Sequence, residues 1–331
     1  MRKLAMTLAL ALSLIAPAAA DAAPRQIKLA TYGAMGSPLE KAVTLMQKDI
    51  AAKTNGRYEL KPYLACAFGS FDTAFQGARL GTVEIVVDSF SNMSIYVPEL
   101  AAFDIPYLMP SDEAIEATLR GAPGQKVMDL IAKKGVRPMC LINGTWRVLI
   151  NTKGWKTLDE IKGAKVRSTS SKTHIAALKA LGVSAIPMPA PEMYTGLQQG
   201  VVDGADPEFN SYRTNRYVDV AKYCFDIQAM PVLITSFMSD RWWKTLPEAD
   251  KKLFTEIFKD FQNNCKKFYD AQISADRKTA VEKEGITITP LSPADKARAI
   301  EMGKAAYKAL TPAQAAMAQE VTDFLKANNL L

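Results

Sequence analysis

The chain has 331 residues, 41 Lys and Arg against 34 Asp and Glu, a formal charge of +7 and one histidine. Its basic residues are spread along the chain, with no basic block and no interleaved aromatics, which excludes an ordinary nucleic-acid surface. A single histidine argues against a histidine-based metal centre, and the length allows a large core split into two lobes.

The chain opens on Arg2 and Lys3, continues as an apolar run over 4–16, and then meets Pro17 and small residues. That order is the order of a secretory leader, and the run falls short of the roughly 20 residues that span a bilayer. Cleavage is expected near Ala20 or Ala22, giving an exported, periplasmic protein. The first cysteine is Cys66, so the leader carries no lipid-attachment cysteine. Cys66, Cys140, Cys224 and Cys265 form no CxxC pair. In an oxidising compartment they can pair in three ways or remain buried thiols, and both readings stay open.

After the leader, short apolar strands alternate with amphipathic helices. A strand is expected over 26–32, then a helix that Ser37 caps and Pro38 starts, with Leu39, Ala42, Val43, Met46 and Ile50 on one face. Strands follow over 58–64 and 83–87, separated by a helix that Asp72 caps and Gly81 ends. This succession predicts an α/β fold with a parallel or mixed sheet. A helical region over 111–134 breaks at 121–124. Strands are then expected over 136–142, 146–150, 164–168, 183–186 and 201–204, with helices over 172–181 and 191–199. No glycine or proline interrupts 248–284, where Phe254, Phe258, Phe261, Cys265 and Phe268 recur at helical spacing. One helix of roughly 55 Å would result, lying across two lobes, unless it breaks into two. The C-terminal stretch reads as two helices split at Thr311-Pro312.

Enzyme signatures are missing. There is no GxGxxG, no GxxxxGK[ST] and no GxSxG, so no cofactor is expected. Any Ser-His-Asp triad would need His174. It follows a run of Ser, Thr and Lys that reads either as a polar ligand loop or as a solvated, serine-capped helix start, the latter favoured. Arg167 ends a predicted strand, where an α/β sheet opens onto its ligand crevice.

Three motifs occur in order: Phe103-x-x-Pro-Tyr-Leu108, Lys162-Gly-Ala-Lys-Val-Arg167, and Glu192-Met-Tyr-x-Gly-Leu-Gln-x-Gly-Val-Val-Asp-Gly204. With Trp242-Trp-x-x-Leu246 ahead of the long helix, they make the chain, from about residue 26 to its end, resemble the DctP-type periplasmic solute-binding proteins of TRAP transporters. The resemblance implies a two-lobed, periplasmic-binding-protein-like α/β fold with a hinge and one helix spanning both lobes. It places lobe I at 24–144 plus about 233–272 and lobe II at 145–232 plus about 273–331. It implies capture of a small organic carboxylate between the lobes and delivery to a TRAP-type membrane permease, with no chemistry on the ligand. The other readings are a receptor for an ATP-driven importer or sensor, or a secreted α/β hydrolase or lyase.

By the resemblance, Arg167 binds the ligand carboxylate and Arg147 assists. Trp146, beside Arg147, reads either as an aromatic wall or as a core tryptophan next to the hinge, and Asp88 either as a hydrogen-bond acceptor or as an exposed loop acid. Tyr32 and Ser89 are further candidate ligand contacts, and Asp206, Glu208, Phe209 and Tyr212 weaker ones. Two pocket positions of the sialic-acid-binding members are Ala190 and Pro207 here, which argues against sialic acid. The chain reads Tyr63-Leu-Ala-Cys66 where the family has a Tyr-Pro loop start.

Overall fold

Ser37 accepts the Glu40 N–H and Pro38 occupies the first turn of helix Pro38–Lys53, so the local chemistry starts that helix as its sequence predicts. The structure, a computed structural model, describes residues 23–331; the expected leader and its cleavage sites lie outside the described residues. Helix Phe71–Leu80 is capped by Ser70, not Asp72, because the Ser70 hydroxyl accepts the Thr73 N–H. Gly81 ends it in the left-handed region.

Among the described residues eleven strands occur in chain order: β1 (Arg25–Thr31), β2 (Tyr58–Tyr63), β3 (Ile85–Ser89), β4 (Val136–Trp146), β5 (Leu149–Asn151), β6 (Lys165–Ser168), β7 (Ser184–Pro187), β8 (Gly204–Ala205), β9 (Tyr223–Asp226), β10 (Pro231–Ser239) and β11 (Thr287–Pro290). They form two sheets, ordered β2-β1-β3-β10-β4 and β11-β9-β5-β8-β6-β7. Each sheet is the centre of one lobe. β10 lies antiparallel between β3 and β4 and is buried along its whole length. A strand covered on both faces shows no polar alternation, which is why period-2 reading passes over it. The stretch expected as two strands over 136–150 is one long strand, β4, and a short β5. The Phe103–Leu108 motif begins at the end of a 3-10 turn over Pro98–Asp104.

The long helix is unbroken over Glu248–Glu284. Phe254, Phe258, Phe261 and Cys265 enter the apolar core beneath the first sheet with Leu39, Val43 and Ile142. Further along, Ala280 joins the second lobe's core with Val148, Phe209 and Tyr212. Arg213 pairs with both Asp276 and Glu284, which fastens the far end of the helix to that lobe. Helix Pro312–Ala327 packs on helices Asp112–Arg120 and Ala122–Ala132 and on the Pro98–Asp104 turn. The expected lobe II therefore does not hold the whole of 273–331, since this last helix lies against lobe I. Among the described residues no helix is long and apolar enough to cross a membrane.

A cleft between the two sheets

The ends of β1 and β3 face the ends of β6 and β8 across a cleft of about 560 Å³. That volume is in the range of small-molecule sites. Tyr32, Asp88, Ser89 and Asn92 line it from the first lobe, and Arg147, Arg167, Thr169 and Glu208 from the second.

β6 carries Arg167 to the floor of the cleft, where it is 6% exposed. Its Nε donates to the Met188 carbonyl at 2.9 Å, and Nη1 stands 3.7 Å from Asp206 Oδ1. Its two terminal nitrogens make no hydrogen bond among the described residues. Arg147 sits where the chain crosses from β4 to β5. Its backbone N–H donates to Met230, and its Nη1 donates to the Asp206 carbonyl at 2.9 Å and to Oδ2 at 3.4 Å. Its Nη2 donates to Ser91 Oγ of the other lobe at 3.4 Å.

Beneath both arginines lies a cluster that the sequence reading underestimated. His174 is fully buried, so the solvated helix start is overturned. Its Nε2 lies 2.5 Å from Asp206 Oδ2 and its Nδ1 2.8 Å from Thr169 Oγ1. Asp206 divides its charge between one imidazole and two guanidinium groups and acts as their common anchor. Burial alone would push the Asp206 carboxyl up, but His174 and Arg147 beside it hold it below the ordinary range. Asp104 extends the network across the lobes, accepting from Ser91 at 2.6 Å and from Ser171, the cap of the His174 helix, at 2.8 Å.

The other candidates separate clearly. Tyr32 and Ser89 line the cleft, and Ser89 Oγ also caps the short helix Phe90–Met93. Asp88 is 5% exposed; its Oδ1 accepts the Ser89 N–H at 2.7 Å and the Asn92 amide at 2.8 Å. Trp146 lies outside the cleft lining and borders a second cavity of about 230 Å³ with Tyr269 and Arg277. Neighbouring residues of an extended chain point to opposite faces, so with Arg147 in the cleft Trp146 turns away. Phe209 is fully buried against Tyr212 and beneath the Arg277 guanidinium, in the core and outside the lining. Ala190 and Pro207 both line the cleft. Ala65 and Cys66, in the departing loop, both lie at positive φ and line it too. All four cysteines are free thiols, and burial pushes Cys66 up to about 12, which keeps it protonated.

Burial also pushes the Asp88 carboxyl up to about 6, against the opposing bonds from Asn92 and Ser89. An unfolded Asp titrates near about 3.9, so the folded state holds this proton more tightly. The associated stability is greatest below that unfolded value and is lost as pH rises through about 6. Asp88→Asn should remove this dependence. Between pH 4 and 7 the variant should gain on the order of 2–3 kcal/mol relative to wild type in urea unfolding. Parallel pH profiles for the two proteins would contradict it.

Comparison with known proteins converges on one group. Residues 29–313 match the DctP model, "Bacterial extracellular solute-binding protein, family 7". A solute-binding protein of Verminephrobacter eiseniae is 28% identical over 89% of this chain and 91% of its own length. The C4-dicarboxylate-binding periplasmic protein of Rhodobacter capsulatus is 25% identical over 72% of each chain. Among solved structures, the sugar acid binding protein of Advenella mimigardefordensis in complex with galactonate superposes with a TM-score of 0.89. It is 23% identical, covering 93% of this chain and 99% of that one.

Proposed function

The chain belongs to the DctP family of bacterial extracellular solute-binding proteins, and on that premise we propose that it is the periplasmic receptor of a TRAP-type transporter for small organic acids. The cleft supports this through one observation above others: a nearly buried guanidinium, Arg167, whose terminal nitrogens make no hydrogen bond among the described residues, only Nη1 standing 3.7 Å from Asp206. Two parallel N–H donors match a carboxylate, a geometry that lysine cannot copy. The anion would replace the water that closure of the lobes removes.

The ligand is carried unchanged. Arg147 holds the floor of the site to Asp206 and, through Ser91, to the first lobe. The two sheets move as the halves of the hinge, with crossings at Arg147, at 226–231, along the long helix and ahead of helix Pro312–Ala327. Delivery is to a membrane permease, after removal of the leader near Ala20 or Ala22.

A panel of organic acids tested by thermal unfolding of the mature protein checks the reading, with mass spectrometry of any co-purified ligand. At a hundredfold excess over Kd a true ligand adds about 2.7 kcal/mol to stability and raises Tm accordingly. The expected result is a carboxylate that raises Tm and is recovered intact. If no acid shifts Tm, or the acid is converted, the reading fails.

A further inference from the structure

We propose that Asp104, in the Phe103–Leu108 motif and outside the cleft, is a positioning residue of the binding site. It holds two serine hydroxyls as acceptors, one for Arg147 and one for the helix that carries His174, and so sets the arginine pair for its ligand. The inference rests on the receptor reading and deepens it.

Asp104 is 3% exposed and does not line the cleft. Among the described residues it pairs with no cation; its hydrogen bonds come from the Ser91 hydroxyl at 2.6 Å and the Ser171 hydroxyl at 2.8 Å. A carboxylate can only accept, so both serines must donate to it. Their lone pairs are thereby turned away, one toward Arg147 Nη2 at 3.4 Å and the other toward the His174 backbone N–H at 3.3 Å. The first contact ties Arg147 to the first lobe. The second caps the helix Lys172–Ala180, whose His174 ring meets Asp206, the anchor shared by Arg147 and Arg167. One carboxylate thus acts on both cleft arginines without touching the ligand.

The rest of the motif fastens Asp104 to the hinge. Tyr107 lies at a φ of 58°, a conformation that a bulky side chain rarely adopts. Its N–H donates to the Ala229 carbonyl at 2.8 Å and its hydroxyl to the Ile227 carbonyl at 3.2 Å, both in the 226–231 crossing. Strain of this kind persists only where the surroundings over-determine the backbone, and here they are the joint between the lobes.

An amide in place of this carboxylate would undo the arrangement at one serine. Its nitrogen donates, so the facing hydroxyl must accept from it and turn its own hydrogen outward, toward another donor. The lost charge acts in the opposite direction, since one negative charge fewer near the cleft favours an anion. Weaker binding is therefore the mark of positioning.

Calorimetric titration of galactonate, galacturonate and succinate into the mature protein, Asp104→Asn, Ser91→Ala and Ser171→Ala tests this, with a melting curve for each variant. The acid that wild type binds most tightly should lose about five- to tenfold in Asp104→Asn and in Ser91→Ala. The Asp104→Asn/Ser91→Ala double variant should lose less than the product of the two, as members of one network do. His174 is the only histidine, so its ring nitrogens give one set of resonances. These should shift in Asp104→Asn and Ser171→Ala and stay in place in Ile131→Val, a core change that lowers stability away from the network. Asp104→Asn binding as tightly as wild type or tighter, losses that multiply, or an unmoved His174 ring overturns this inference and leaves the receptor reading standing. If Asp104→Asn does not fold, the serine variants decide, and affinity kept in both overturns it. If wild type binds none of the three acids, the His174 resonances decide this inference, and the receptor reading stands or falls on the wider panel of acids.

Discussion

Arg167→Ala is expected to weaken ligand binding by about 10²–10⁴-fold, and Arg167→Lys by roughly tenfold or more. A bound carboxylate gains two charge-assisted hydrogen bonds from the guanidinium, each worth about 1.5–3 kcal/mol net. The loss of both is about 3–6 kcal/mol, and each 1.4 kcal/mol is a factor of ten. Lysine keeps the charge but has one nitrogen. It cannot hold the Met188 carbonyl, as Nε now does at 2.9 Å, and present a two-pronged donor as well. Burial works against the charge of Arg167 in the unliganded site, and a bound anion relieves that. Titration calorimetry reads the affinity, and a melting curve shows that the variants remain folded. Unchanged affinity in both variants would remove Arg167 from the site.

Asp206→Ala should cost about 3–5 kcal/mol of folding stability at neutral pH, the usual result of taking one partner from a buried ion cluster. Asp206 has no exposed surface, and Arg147, Arg167 and His174 all address it. Without it two buried guanidinium groups face one another with no counter-charge. Asp206→Asn keeps the size and an acceptor but not the charge, so its loss should be smaller. The pH dependence has a definite sign. The folded carboxyl is held below the ordinary value, so its contribution is complete above the unfolded value near about 3.9. It is lost as pH falls through the lower folded value. The gap in urea stability between wild type and Asp206→Asn should therefore shrink below about pH 4. A variant within about 0.5 kcal/mol of wild type at pH 7 would show that Asp206 is not the anchor.

Much of the frame was legible because local chemistry writes it. The Ser37-Pro38 start, the Gly81 stop and the aromatic face of 254–268 each follow from a cap, a left-handed glycine or a helical period. The two-lobed arrangement follows from the family resemblance and the spanning helix also from the uninterrupted 248–284, and solved relatives share that fold. β10 was missed because burial on both faces erases the alternation by which strands are recognised. Trp146 was placed beside Arg147 by adjacency in sequence, when adjacency in an extended chain means opposite faces. The lone histidine was the one available signal of the anchor cluster, and its run of Ser and Thr looked like a helix cap; Ser171 is indeed that cap.

What the sequence determined by itself was the list of elements, their order, and an arginine at the end of a strand facing a crevice. These depend on side-chain period and backbone preference within a few residues. Only the tertiary structure decided what that arginine rests on and what faces it. Asp206 meets Arg147 across 59 positions of chain, and Asp104 meets Ser171 across 67. Those pairings are made by the order of strands in two sheets, and no local pattern carries the charge balance they create.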